Sequence, residues 1–120
     1  MTWIRLGSLL MFAGVALGAF GARALKTMLT EEGTGWWQTA VLYHLIHGLG
    51  LIAVGWLTIF KPQAHLLRAS GWLFVLGIVL FSGSLYLLAL TGEKRLGAIT
   101  PLGGLAFLLG WLLLAFAARG

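Results

Sequence analysis

The sequence predicts an all-α integral membrane protein: a four-helix bundle with a short interfacial helix between spans one and two. Three observations predict it. Four long apolar stretches fill most of the 120 residues. Charged residues make up 9% of the chain and hydrophobic ones 60%, whereas a soluble domain needs about 25% charged residues. Each stretch also carries small residues seven positions apart: Gly7, Gly14 and Gly21; Gly48 and Gly55; Ser70, Gly77 and Ser84; Gly103, Gly110 and Ala117. A seven-residue step returns to nearly the same helix face. In lipid, such a stripe lets backbones approach closely, and packing there drives helix association.

The chain reads as one transmembrane domain over 1–120, with spans at about 3–21, 36–60, 66–90 and 96–118. Each has the ~17–25 residues that cross ~30 Å of hydrocarbon as a helix. In span one Arg5 gives a basic start, residues 6–20 are apolar, and Ala22-Arg23-Ala24 resembles a signal-peptide cleavage site. Its glycine stripe matches the other spans, so we expect it to be retained. Gly14-x-x-x-Gly18 adds a close-packing pair.

Residues 22–35 form the one substantial loop. Leu25, Met28 and Leu29 share a helical face there, opposite Arg23, Lys26, Thr27 and Thr30. That pattern predicts the interfacial helix, ended by Gly33 and Gly35. Span two runs from Trp36 until Lys61-Pro62-Gln63 stops it, because proline cannot continue a helix. Span three ends at the polar loop 91–95. Thr100-Pro101 suits the first turn of span four, where proline costs no helical hydrogen bond. The string Gly-x-x-Phe-x-Leu-Gly-x-x-Leu occurs at 71–80 and again at 104–113, a recurrence that apolar, glycine-rich spans produce easily. Most of the six tryptophans lie near span ends, as an aromatic belt requires.

The net charge of +5 comes from eight scattered Lys and Arg residues at span edges. With no basic cluster, nucleic acid is not an expected partner; membrane lipids are. The chain has no cysteine, which excludes disulfides and thiolate chemistry. Arg5, Lys61, Arg68 and Arg119 lie on one side of the membrane, and Arg23, Lys26, Lys94 and Arg95 on the other. The positive-inside count is therefore tied. All three acids, Glu31, Glu32 and Glu93, lie on the second side, which favours cytoplasmic termini.

Polarity inside the membrane is one-sided. Span two carries Gln38, Thr39, Tyr43, His44 and His47. At ~1.5 Å per residue the histidines lie ~12–17 Å below Trp36. Ser82, Ser84 and Tyr86 of span three and Thr100 of span four fall at comparable or shallower depths, while the other half has only Ser8, Thr58 and Ser70. This predicts a polar pocket, or a polar core layer, in the half facing the first and third loops. The candidate ligand-binding set is Gln38, Tyr43, His44, His47, Ser82, Ser84, Tyr86 and Thr100, with Arg23 just beyond span one.

His44 and His47 are i, i+3 neighbours and share a helix face. An ionisable residue inside a membrane is a functional-site hypothesis. The alternative is an imidazole that hydrogen-bonds across the bundle and fixes helix order. The sequence leaves both open. Two histidines alone do not make a metal site, since structural zinc takes four ligands and catalytic zinc three plus water. No carboxylate lies at their depth. We therefore expect no metal and no cofactor. Ser82-Gly83-Ser84 lacks the acid and the Gly-x-Ser-x-Gly context of a nucleophile, so no catalytic residue is expected.

Four ordered strings carry a resemblance. They are Gly18-Ala19-Phe20-Gly21-Ala22-Arg23-Ala24-Leu25-Lys26, Trp37-Gln38-Thr39-Ala40 through Tyr43-His44-Leu45-Ile46-His47, Phe81-Ser82-Gly83-Ser84-Leu85-Tyr86, and Ile99-Thr100-Pro101-Leu102-Gly103-Gly104. Together they resemble a family of small four-span membrane proteins of unknown function that includes bacterial YgdD and YwdK and the eukaryotic transmembrane protein 256. The resemblance implies a multi-pass protein of the bacterial plasma (inner) membrane, with no established substrate, cofactor or catalytic residue. The family string usually has His where this chain has Arg23, and some members have Gln where His44 stands. A three-histidine metal site is not expected here, and His47 becomes the better single candidate.

The leading expectation is a non-enzymatic bundle acting through lipids, a protein partner or a homo-oligomer. A small oligomeric transporter or channel for a polar solute, and an intramembrane metal-binding protein, are the alternatives.

Overall fold

A computed structural model describes residues 2–62 and 64–118; Gln63 of the expected turn and Arg119 of the charge count lie outside them. Four helices are long and apolar enough to cross a membrane: α1, Thr2–Ala24; α2, Glu31–Phe60; α3, His65–Thr91; and α4, Lys94–Ala118. They form an integral membrane bundle measuring 49 × 27 × 17 Å.

Local chemistry sets each boundary. α2 begins five residues before Trp36, because Thr30 caps it. The Thr30 side chain accepts the Gly33 N–H at 2.9 Å, and Glu31 and Glu32 place negative charge at the positive end of the helix. The stretch expected as a separate interfacial helix is divided instead. Ala22–Ala24 completes α1. Leu25–Leu29 follow as turns, closed by the Met28 and Leu29 N–H groups on the Leu25 carbonyl. Two turns of amphipathic pattern are too few to hold an independent helix.

At the far end of α2, the Lys61 ammonium crosses to donate to the Ala117 carbonyl at 3.0 Å, capping α4. Gly92 ends α3 in the left-handed conformation (φ 70°), with its N–H on the Leu88 carbonyl at 2.8 Å. That conformation favours glycine. α4 opens with a 3-10 turn, Lys94–Ala98, before its α-helical part, Thr100–Ala118.

The small-residue stripes are where the helices meet. α1 packs on α2, α4 on α3, and α2 joins the two pairs through α3. Gly7 of α1 faces Ile52 and the Gly48 carbonyl, while Gly48 and Gly55 face Met11 and Ile4. The repeated string has a packing consequence. α3 and α4 run antiparallel, and each string seats the other's phenylalanine: Phe107 lies on Gly77, and Phe74 on Gly110. Ser70 locks this pair by donating to the Gly110 carbonyl at 2.8 Å. Leu51, Val54, Leu67 and Phe74 are fully buried at the junction.

Two five-residue π-turns interrupt the helices, Leu17–Gly21 in α1 and Ile78–Ser82 in α3. Such turns widen a helix locally and often sit at functional sites. Both lie in the half that carries the membrane-depth histidines.

Candidate functional site

α2 and α4 touch at few points, which leaves a cleft between them of about 660 Å³. Its inner wall is aromatic. The Phe107 ring stacks on the His47 imidazole at 3.5 Å and 9°. Phe81, from the π-turn of α3, lies 5.5 Å from Phe107 and 4.6 Å from Tyr43. Pro101 and Gly104 line the part nearest the start of α4, and Ile46, Leu105 and Leu108 complete the walls. Tyr43, Ile46, Leu105 and Leu108 are exposed on the outside of the bundle, so the cleft opens sideways toward the lipid.

Trp111 spans the deep end of the cleft by donating its indole N–H to His47 Nε2 at 2.8 Å. The other ring nitrogen, Nδ1, lies 2.7 Å from the Tyr43 carbonyl. A carbonyl only accepts and an indole N–H only donates. The His47 ring therefore carries its single proton on Nδ1, and both nitrogens are satisfied inside the protein.

His44 serves different neighbours. Its Nδ1 lies 2.8 Å from the Tyr86 hydroxyl of α3. Its ring edge lies against Gly14 of α1, and its Nε2 is buried without a hydrogen-bond partner among the described residues. The shared helix face thus splits between two interfaces.

The remaining candidate residues fall into two groups. Ser82 is fully buried and donates to the Ala40 carbonyl of α2 at 2.7 Å. Ser84 and Thr100 pair across α3 and α4 at 2.6 Å. These bonds, with His44–Tyr86 and His47–Trp111, form a layer of cross-helix polar contacts rather than one shared cavity. Gln38 and Arg23 are exposed. Gln38 borders a separate shallow groove with Gly18, Ala22 and Trp37, where the Trp37 indole donates to the Leu17 carbonyl at the π-turn of α1. Among the described residues, no three His, Asp or Glu side chains gather as a metal-ligand set.

Sequence reasoning missed Phe81, Phe107, Trp111, Pro101 and Gly104 as cleft residues. One signal was available for Trp111. It stands eleven residues past Thr100, and His47 eleven past Trp36, so both lie ~16 Å from the same membrane face.

Comparison with known proteins agrees with this architecture. A family model described as "Protein of unknown function (DUF423)" matches residues 17–104, a stretch that holds both π-turns and most of the polar layer. The chain is 48% identical over 112 residues to a UPF0382 membrane protein of Staphylococcus haemolyticus, covering 93% of this chain and 90% of the relative. It is 44% identical over 116 residues to the UPF0382 membrane protein YwdK of Bacillus subtilis, covering 97% and 94%. No solved structure matches the chain.

Proposed function

The chain belongs to the DUF423 family of membrane proteins of unknown function, and on that premise we propose that it is a non-enzymatic accessory bundle of the bacterial plasma membrane that holds a lipid hydrocarbon chain between α2 and α4. The observation that carries this reading is the lateral cleft. Its volume of about 660 Å³ lies within the ~300–1,000 Å³ of ordinary ligand pockets. Its lining is almost wholly apolar, and it opens at a depth where hydrocarbon is the surrounding medium. Tyr43 supplies a hydroxyl at the rim, with the ring packed on Phe81.

The polar candidates support the same reading in another way. Ser82, Ser84 and both nitrogens of His47 are spent on internal hydrogen bonds. That favours a scaffolding role for them over contact with a polar solute, and leaves lipid as the class of ligand. With Lys and Arg tied, orientation rests on the three acids at the loop end; in this reading both termini face the cytoplasm. A protein partner or second copy would meet the outer apolar faces of α1 and α4.

The test fills the cleft rather than dismantling it. A Cβ at Gly104 would meet only Phe81 Cδ2, at 3.9 Å, so Gly104→Leu projects into the cleft without a backbone clash. Native mass spectrometry of protein extracted from its own membrane is expected to show a stoichiometric lipid on the wild type. Gly104→Leu should lose it while remaining folded. A wild type without lipid, or a variant that keeps it, contradicts the proposal.

A further inference from the structure

The opposite end of the bundle, where α1 begins and α4 ends, has a different chemistry. Glu31, Glu32 and Glu93 all lie at the other end. Among the described residues, the end with the start of α1 carries Arg5, Lys61, His65 and Arg68 and no carboxylate side chain. Trp3 is set firmly there: its Cβ lies close to Gly55, its indole packs on Gly71, and it stands edge-on to Trp72 at 5.3 Å. Beside it, Thr2, Trp3, Thr58, Pro62 and Arg68 line a shallow, open recess of about 320 Å³.

The donors at this recess are distributed unevenly. Lys61 does not line it and spends one ammonium proton on the Ala117 carbonyl, and the Thr58 hydroxyl donates to the Gly55 carbonyl at 2.6 Å. Arg68 spends one Nη2 proton on His65 Nδ1, a neighbour one turn back in α3. A guanidinium has five N–H donors in a planar fork, so among the described residues Arg68 keeps most of its donors free. That fork matches a phosphate, and tryptophans at a span edge mark headgroup depth.

We propose that this recess binds the phosphate of an anionic phospholipid headgroup, with Arg68 as its principal ligand and the Thr2 hydroxyl as a second donor. The site is separate from the α2–α4 cleft and does not depend on it.

The test is native mass spectrometry from nanodiscs holding phosphatidylglycerol and phosphatidylcholine in equal amounts. The wild type is expected to retain phosphatidylglycerol preferentially. Arg68→Gln should weaken that preference about tenfold, the loss of one charge-assisted hydrogen bond. Arg5→Gln, at the same end but outside the recess, should leave it unchanged. So should Gly104→Leu, which separates this site from the cleft. Equal losses in Arg5→Gln and Arg68→Gln would reduce the effect to diffuse charge and overturn the proposal, as would a wild type without preference. In a further arm, inorganic phosphate is added to phosphatidylcholine nanodiscs. A phosphate adduct there that Arg68→Gln abolishes would assign the recess to soluble phosphate and overturn the lipid assignment.

Discussion

Replacing Gly103 with alanine is expected to destabilise the bundle by about 1–3 kcal/mol, the usual cost of overpacking. The reason is backbone proximity. A Cβ at Gly103 would press on the Phe81 backbone nitrogen and lie 2.7 Å from its Cα. Phe81 closes the π-turn of α3 together with Ser82, and Ser82 is bonded to the Ala40 carbonyl of α2. The strain therefore cannot be relieved by rotating a side chain; α3 and α4 must separate. Gly104→Ala is the matched control. Its Cβ finds only ordinary contact, and alanine favours helix over glycine by about 1 kcal/mol, so that variant should match or exceed the wild type. Thermal unfolding in detergent checks both. Equal stability of the two variants would mean that α3 and α4 are not in this register.

The second large effect concerns the bond across the cleft. His47→Leu leaves the Trp111 indole N–H without its acceptor, and Trp111→Phe leaves His47 Nε2 without its donor. A buried polar group stripped of its partner costs about 1–3 kcal/mol. Removing both partners should recover part of that loss. Coupling across membrane helices averages about 0.6 kcal/mol and reaches about 1.7, and the stacking of His47 on Phe107 at 3.5 Å holds the geometry that favours the upper end. A double-mutant cycle on unfolding free energy measures this coupling. Strictly additive losses would contradict the bond.

The sequence carried the architecture because membrane packing writes itself in small residues. Gly7, Gly48, Gly77 and Gly110 all stand where another helix arrives. Polar residues were also legible as candidates: His44, Ser82 and Ser84 are buried inside the bundle. Their partners were less so. Depth restricts which residues can meet, as His47 and Trp111 illustrate, but not which way each helix faces. The π-turns rotate the rest of each helix by inserting a residue into a turn, and Ile78–Ser82, four apolar residues and a serine without proline or glycine, carries no local mark of one. The start of α2 was readable in Thr30-Glu31-Glu32, a cap followed by two acids, yet Gly33 and Gly35 drew that stretch toward a loop. The cleft itself was hidden, because it arises from two helices that fail to meet. No property of either helix alone records that.

The measurement that tests the lipid-chain reading most directly is photocrosslinking with a diazirine-bearing fatty acid incorporated into membrane lipids, mapped by peptide mass spectrometry. Labelling is expected to concentrate on Tyr43, Leu105 and Leu108 at the cleft, above the level at Leu9 and Phe12, which are exposed on α1. The excess should be lost in Gly104→Leu. Labelling spread evenly over all exposed apolar residues, unchanged by Gly104→Leu, would show the cleft to be ordinary lipid-facing surface.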